Sequence, residues 1–445
     1  MPVSPLYPYQ VDGAAFLSAR DRAYLADDMG LGKTRQAIRA LSDRLGPDAV
    51  VIVVCPLSAV GWWIHEARAM GLPAARWCGE AQPGLNVLNY DRLARERGAL
   101  EHADAAALVC DEAHRLKNRE AVRSRAAWGL AQSVPIVWML SGTPLPNRPA
   151  EAWMPLAILG RLPDGYEDWM TFTQRYADGH VRRIGGRRLW DVSGASNLPE
   201  LADHLSPLML RRTAAEVLGD LPPHRRTLLP LSPPDDSEYP GAARDFAAWW
   251  YGQTGRDIRP SGAEALVRLG KLRQIAEIDK YRVMADGIPD DYATDSQPLL
   301  VWHHSHAVRA LMHPPAAIHG GQSGAARDAV VRQFQAGEIS PAWLGCQLDA
   351  GSEAITLTRA ATALFLALPW TPSGFVQAEA RMRRIGLDHP TRTIIPVMHP
   401  IDRAMARVLR DKSRVIHDVL EPEADPEQSI LDLARVVAEE REEDQ

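Results

Sequence analysis

Residues Asp27-Asp28-Met29-Gly30-Leu31-Gly32-Lys33-Thr34 have the types and spacing needed to hold phosphate. Gly30 and Gly32, on either side of Leu31, let the backbone approach a phosphate closely, and the amides that open a following helix point at the anion. Lys33 then reaches the β- and γ-phosphates, and the Thr34 hydroxyl ligates Mg²⁺. Asp111-Glu112-Ala113-His114 lie 78 residues beyond Lys33 and directly follow an apolar run. They set two carboxylates at the end of a strand, facing the phosphates. Asp111 holds Mg²⁺ directly or through water, and Glu112 orients and deprotonates an attacking water, a role worth about 10²–10⁴ in rate. His114 either relays the state of this site elsewhere or packs behind it. Ser141 and Thr143 of Ser141-Gly142-Thr143-Pro144 either bond to the 111–114 segment or simply close a strand-end turn. In the second half, Arg381, Arg383 and Arg384 stand together, with Gln377 one helical turn before Arg381. Such arginines, brought from a second lobe, stabilise charge on a transferring phosphoryl group and are worth about 10³–10⁵ in turnover. The same cluster would also suit a basic helix face against nucleic acid or solvent.

The elements that position these groups are visible as a pattern. Short apolar runs at 23–26, 49–55, 105–110 and 134–140 alternate with helical spacing at 34–45 and 119–132. Continuous apolar strands separated by helices predict a parallel sheet covered on both faces. Each of the three chemical segments in the first half follows one of these runs. The alternation returns at 299–302, 342–346, 363–368 and 393–397. Between the halves, 151–295 is rich in Trp, Arg and Pro and has few strand-like runs, which predicts largely helical material with loop-forming clusters at 232–241 and 286–298. No short-period repeat and no low-complexity segment is present.

The chain has 445 residues, 46% hydrophobic and 24% charged, which excludes a mainly disordered, collagen-like or disulfide-stapled protein. No apolar run approaches the ~18 residues of a membrane helix, and no export signal opens the chain. Cys55, Cys78, Cys110 and Cys346 are widely spaced, as expected of reduced thiols in a cytosolic protein and against a cysteine zinc site. The net charge of −6 hides an uneven distribution. Residues 421–445 carry a net −8, which leaves +2 on the other 420, and 381–414 has a local excess of +6. A local basic surface matters more for phosphate contact than the total, although a solvated charged face would look the same. The tail has Ile430, Leu433 and Val437 on one helical face, suited to docking on the body or to holding a protein partner.

Taken together, these segments resemble the Swi/Snf-type ATPases, DNA translocases within helicase superfamily two. LYPYQVDGAAFL (6–17) resembles the family's adenine-reading segment, with Gln10 as the reader. VVCPLSAVGWWIHEA (53–67), LNYDRL (88–93), DEAHRLKN (111–118) and LSGTPLPNRP (140–149) resemble its next blocks. LMLRRTAAEVLGDLPPH (208–224) is similar to its signature between the lobes. LGKLRQI (269–275), IHGGQSGAARDAVVRQFQ (318–335) and LPWTPSGFVQAEARMRRIG (368–386) resemble second-lobe blocks. Residues 175–201 are most similar to the annealing-helicase branch.

The resemblance implies an α/β fold with two RecA-like parallel-sheet lobes in tandem and helical insertions between them. Lobe 1 would span 1–150, a helical insertion and linker 151–230, a helical insertion of lobe 2 231–298, lobe 2 299–420 and an acidic tail 421–445. It implies ATP and Mg²⁺, with Lys33, Glu112, Arg381 and Arg384 catalytic. Gln10, Gly30, Leu31, Gly32, Lys33, Thr34 and Asp111 would bind nucleotide, and Thr34 and Asp111 would bind the metal. The partner is double-stranded or forked DNA and not a membrane, with a possible protein partner at the tail. The setting is the cytoplasm of a bacterial or virally infected cell, at the nucleoid. Trp62, Trp63 and Trp370 either lie near DNA or pack. The chain departs from the family at Ala214, at Leu387 and most at 349–358, where Glu353 and Ala354 alter a usually Gly-rich loop. That loop motivates an alternative, a nucleotide-gated clamp that binds DNA and recruits a partner with little stepping.

Overall fold

The computed structural model describes residues 5–46, 48–184, 187–219, 222–246, 262–288, 292–294, 297–348, 355–384 and 386–420. The altered part of the 349–358 loop, with Glu353 and Ala354, and the acidic tail lie outside these residues. The chain divides into two units. One is built on Met1–Asp220 and takes in the last helix from Arg414; the other is built on Leu221–Ser413.

The first unit holds a seven-stranded sheet. Its strands are β1 (Arg22–Leu25), β2 (Val50–Cys55), β3 (Ala74–Arg76), β4 (Gly84–Asn89), β5 (Ala107–Asp111), β6 (Ile136–Leu140) and β9 (Met209–Leu210), in the order β3-β4-β2-β5-β6-β1-β9. Every pairing is parallel. Successive residues of a strand point to opposite faces, and each face has its own core. Ile52, Val54, Leu108, Cys110, Val137 and Met139 enter one cluster; Val51, Val53, Val109, Trp138 and Leu140 enter the other. This is why the runs are apolar throughout and do not alternate.

The second unit repeats the scheme. Strands β10 (His224–Pro230), β11 (Leu299–His303), β12 (Ala317–Ile318), β13 (Trp343–Gln347), β14 (Thr362–Phe365) and β15 (Thr391–Val397) form a parallel sheet in the order β10-β15-β14-β11-β13-β12. Leu300, Trp302, Ala363 and Phe365 feed one core, and Leu299, Val301, Leu364 and Leu366 the other. The fold is therefore α/β with two doubly covered parallel sheets. Among the described residues no helix is long and apolar enough to cross a membrane.

The stretch 151–230 is less helical than expected. Besides helices such as Trp153–Leu159 and Trp169–Tyr176, it contains a separate two-stranded antiparallel hairpin, β7 (His180–Ile184) and β8 (Arg187–Asp191). It also supplies β9 to the first sheet and β10 to the second. Charged residues mask β7, β8 and β10 in the sequence. β10 opens on His224, Arg225 and Arg226 and pairs along its whole length with β15, from His224↔Thr391 to Pro230↔Val397.

Candidate active site

Strand register brings the three first-half segments together. β6 pairs with β5 on one side, Asp111 opposite Leu140, and with β1 on the other, Leu25 opposite Leu140. The chain leaving β1, β5 and β6 therefore emerges side by side at the carboxyl edge of the sheet, where open α/β sheets bind ligands. Gly30 and Gly32 take φ of 84° and 72°, in the left-handed region that favours glycine. Gly32 caps the helix Lys33–Arg44, so that helix's free amides face the loop. The Lys33 ammonium donates to the carbonyls of Asp27 (2.7 Å) and Asp28 (3.0 Å). Burial pulls its pKa down, opposed by the carboxylates of Glu112, Asp27, Asp111 and Asp28. An arriving phosphate would add to that opposition and favour the charged form.

The second segment is held from three sides. The Asp111 carboxylate accepts the Trp63 indole N–H (2.8 Å) and the Glu112 amide (3.0 Å), while its carbonyl accepts the Tyr90 hydroxyl (2.6 Å). Burial, then the neighbouring Glu112 carboxylate, push the Asp111 carboxyl up to about 6. Glu112 sits at φ 52°, ψ 50°, a conformation that costs a side-chain-bearing residue roughly 1–2 kcal/mol and is found at functional sites. His114 Nδ1 lies 3.0 Å from Ser141 Oγ and 3.3 Å from Glu112 Oε2, and Ser141 Oγ also accepts the Thr143 amide at 3.1 Å. Of the two readings of His114 and Ser141, the connecting one matches this chain of contacts.

Mg²⁺ was expected at Asp111 and Thr34, and the donors there are hard oxygens. A divalent cation would also offset the crowding of Asp111 and Glu112. Among the described residues no group of three His, Cys, Asp or Glu could hold a metal.

Gln10 is buried against the loop. Its Nε2 donates to the Leu31 carbonyl at 3.2 Å, and its Oε1 accepts the Tyr7 amide at 3.1 Å. A Cβ on Gly32 would meet Gln10 Nε2 at 2.4 Å, so a side chain at 32 would have to displace the Gln10 amide as well as adopt a left-handed backbone.

Sequence reasoning missed the groups behind the loop. Asp27, the departure from the strict glycine pattern, is 0% exposed and accepts a fork from Arg212: Nε to Oδ1 at 3.0 Å and Nη2 to Oδ2 at 2.6 Å. Gln36 donates to Asp27 Oδ2 (3.0 Å) and to the Leu31 carbonyl (3.1 Å), and accepts from Arg212 (3.1 Å). A Cβ on Gly13 would collide with Gln36 Oε1 at 1.7 Å. The amide of Ala26 donates to the Leu210 carbonyl and that of Asp28 to the Arg212 carbonyl, which extends the β1–β9 pairing along the loop. Arg212→Ala strands a buried carboxylate, so denaturant unfolding is expected to show a loss of about 3–5 kcal/mol. Asp27→Asn with Arg212 intact is expected to cost less.

The arginine segment follows the helix Pro372–Glu379, capped by Thr371. Arg381 is only 2% exposed and donates to the carbonyls of Gln377 (3.0 Å) and Ile355 (3.2 Å). Arg381 and Arg384 are the two arginines the sequence assigns to the phosphates, and in this structure Arg381 braces the chain at 355. Arg384 is half-buried and donates to Thr356 Oγ1 at 2.6 Å and the Ala380 carbonyl at 3.2 Å. Behind them, Glu379 takes a fork from Arg226 (3.0 and 2.7 Å) and a contact from His224 (3.2 Å), fastening this helix to β10. Burial would raise the Glu379 carboxyl, but Arg226 and His224 outweigh it and hold the pKa well below the usual carboxylate range. A depressed carboxyl contributes stability above its unfolded value and loses it as pH falls toward the folded one. The advantage of the native chain over Glu379→Gln is therefore expected to be full at pH 7 and to shrink below about pH 4, as read by urea unfolding across pH.

The tryptophans separate. Trp63 is 0% exposed and touches Asp111, so it belongs to the core and the site, whereas Trp62 and Trp370 are 56% and 39% exposed.

Residues 9–277 match the SNF2-related domain and residues 300–386 the helicase conserved C-terminal domain. The mouse (Mus musculus) DNA annealing helicase and endonuclease ZRANB3 is 31% identical over 418 residues, covering 86% of this chain and 37% of that protein. In Xenopus tropicalis, the SWI/SNF-related matrix-associated actin-dependent regulator of chromatin subfamily A-like protein 1 is 32% identical over 408 residues, 86% of this chain and 41% of that one. The chain thus spans about two fifths of the length of these curated relatives. The Sulfolobus solfataricus SWI2/SNF2 ATPase core in complex with dsDNA aligns over 100% of this chain and 97% of its own, with 19% identity and a TM-score of 0.43. With a phosphate loop, a strand-end carboxylate pair and matches across both halves, the chain belongs to the SNF2-related family of helicase-like ATPases.

Proposed function

We propose that the chain is a translocase on double-stranded DNA, driven by ATP hydrolysis, that remodels or reanneals DNA or displaces bound protein. The observation that carries this reading is the emergence of the phosphate loop, the Asp111–Glu112 pair and the Ser141–Thr143 turn from adjacent strands. The named activity of the mouse relative, DNA annealing, supports the choice of DNA as partner.

In this reading Lys33 exchanges the Asp27 and Asp28 carbonyls for phosphate oxygens, and Gln10 reads the base. Asp111 and Thr34 would hold Mg²⁺, which would supply positive charge to the phosphoryl oxygens. Glu112 takes the proton of the attacking water, and His114 passes its state to Ser141. Arg384, from the second lobe, stabilises charge on the transferring group, while Arg381 positions the 355–358 segment beneath it. Alternating grips of the two lobes on phosphates move the chain along DNA, so binding should be sequence-tolerant and salt-sensitive. The work would take place at the nucleoid.

ATP turnover with and without duplex DNA tests this reading. Stimulation by duplex is expected, and a rate that saturating duplex leaves unchanged would contradict it.

A further inference from the structure

The hairpin β7–β8 belongs to neither main sheet. Two-stranded hairpins are marginal on their own, and this one is rooted at its base. The Trp190 indole N–H donates to Thr173 Oγ1 at 3.0 Å, and the Ser196 amide donates to the Tyr176 carbonyl at 3.0 Å. Tyr176 and Phe172 are buried in the core of the first unit. A Cβ on Gly179 would meet the Thr173 carbonyl carbon at 2.8 Å, so the strand starts tight against the preceding helix.

Away from that base the hairpin carries a costly feature. Positions 182, 183, 187 and 188 are all arginine, flanking Gly185-Gly186. The register sets Arg183 directly opposite Arg188, and like charges facing each other across an antiparallel pair are destabilising. Both are exposed, and neither side chain has a hydrogen-bond or ion-pair partner among the described residues. Arg182, by contrast, is paired with Asp191 at 3.1 Å. The repulsion of the 183–188 pair is relieved when anions lie beside both guanidinium groups. A two-stranded ribbon also has the width that the duplex major groove admits.

We propose that the hairpin His180–Asp191 is a second grip on duplex DNA, in which Arg183 and Arg188 each take a backbone phosphate. The proposal rests on the reading above that duplex DNA is the partner, and it adds an anchoring point on the first unit outside the nucleotide site. Phosphates of a duplex suit it better than an acidic peptide, because their even spacing supplies one anion for each arginine of a facing pair.

The test is duplex affinity of the full chain against salt. Each phosphate contact contributes about 0.9 to the slope of log K against log salt. Arg183→Gln/Arg188→Gln is therefore expected to flatten the slope by about 1.8, without lowering Tm. Arg183→Lys/Arg188→Lys is expected to retain the native slope. An unchanged slope in the double Gln variant, with salt-sensitive native binding, overturns the hairpin grip and leaves the DNA reading standing. Native chain that does not bind duplex overturns both. A fall in Tm accompanied by equal slope loss in the Lys variant assigns the pair a structural role and overturns the proposal. So does loss of binding to a synthetic 421–445 peptide with duplex binding unchanged.

Discussion

Arg384→Ala is expected to lower duplex-stimulated ATP turnover by about 10³–10⁵-fold, the range for an arginine that meets a transferring phosphoryl group, while apparent ATP affinity changes little. The two arginines are held differently within the second lobe. Arg381 is buried on two backbone carbonyls of its own lobe. Arg384 is half-buried, and one of its donors rests on the Thr356 hydroxyl, a neutral partner that a phosphate readily outcompetes because charged acceptors bind roughly twice as strongly. Arg384→Lys keeps the charge but loses the planar fork, so it should recover only part of the rate. Arg381→Ala is expected to act differently, lowering Tm through loss of the brace at Ile355. A drop of less than tenfold in Arg384→Ala turnover, with the fold intact, would remove Arg384 from the transition state.

Glu112→Gln is expected to cost about 10²–10⁴ in kcat, the worth of a positioned general base, and to leave nucleotide binding intact or tighter. Tightening follows from the local charge: Glu112 is the principal charged neighbour pushing the Asp111 carboxyl up, so neutralising it eases ionisation of Asp111. The backbone at 112 is left-handed, and Gln holds that geometry as well as Glu does. Loss of rate in this variant is therefore chemical and not conformational. Circular dichroism with nucleotide binding checks the distinction. Retention of full turnover would assign the base elsewhere.

Much of the site was legible because its chemistry requires contiguous residues. The glycine–lysine–threonine loop and the Asp111–Glu112 pair each follow an apolar strand, and a parallel sheet must deliver those strand ends to one edge. What was not legible depends on pairs far apart in the chain. The Arg212–Asp27 fork closes over 185 residues and the Trp63–Asp111 bond over 48, and no local pattern marks either. Trp63 read first as a packing residue and second as a DNA contact, and neither reading marked its bond to Asp111. β9 is two residues long, too short for a periodicity. β10 and the hairpin carry arginines in positions where strand signals rely on apolar residues. The two arginines at 381 and 384 looked equivalent in sequence, and only burial separates them.

Displacement of a triplex-forming strand from duplex DNA measures stepping itself. The account predicts release by the native chain with ATP, and none with a non-hydrolysable analogue or with Glu112→Gln and ATP. Release that proceeds equally under all three conditions, or a native chain that hydrolyses ATP on duplex without releasing the strand, would contradict it.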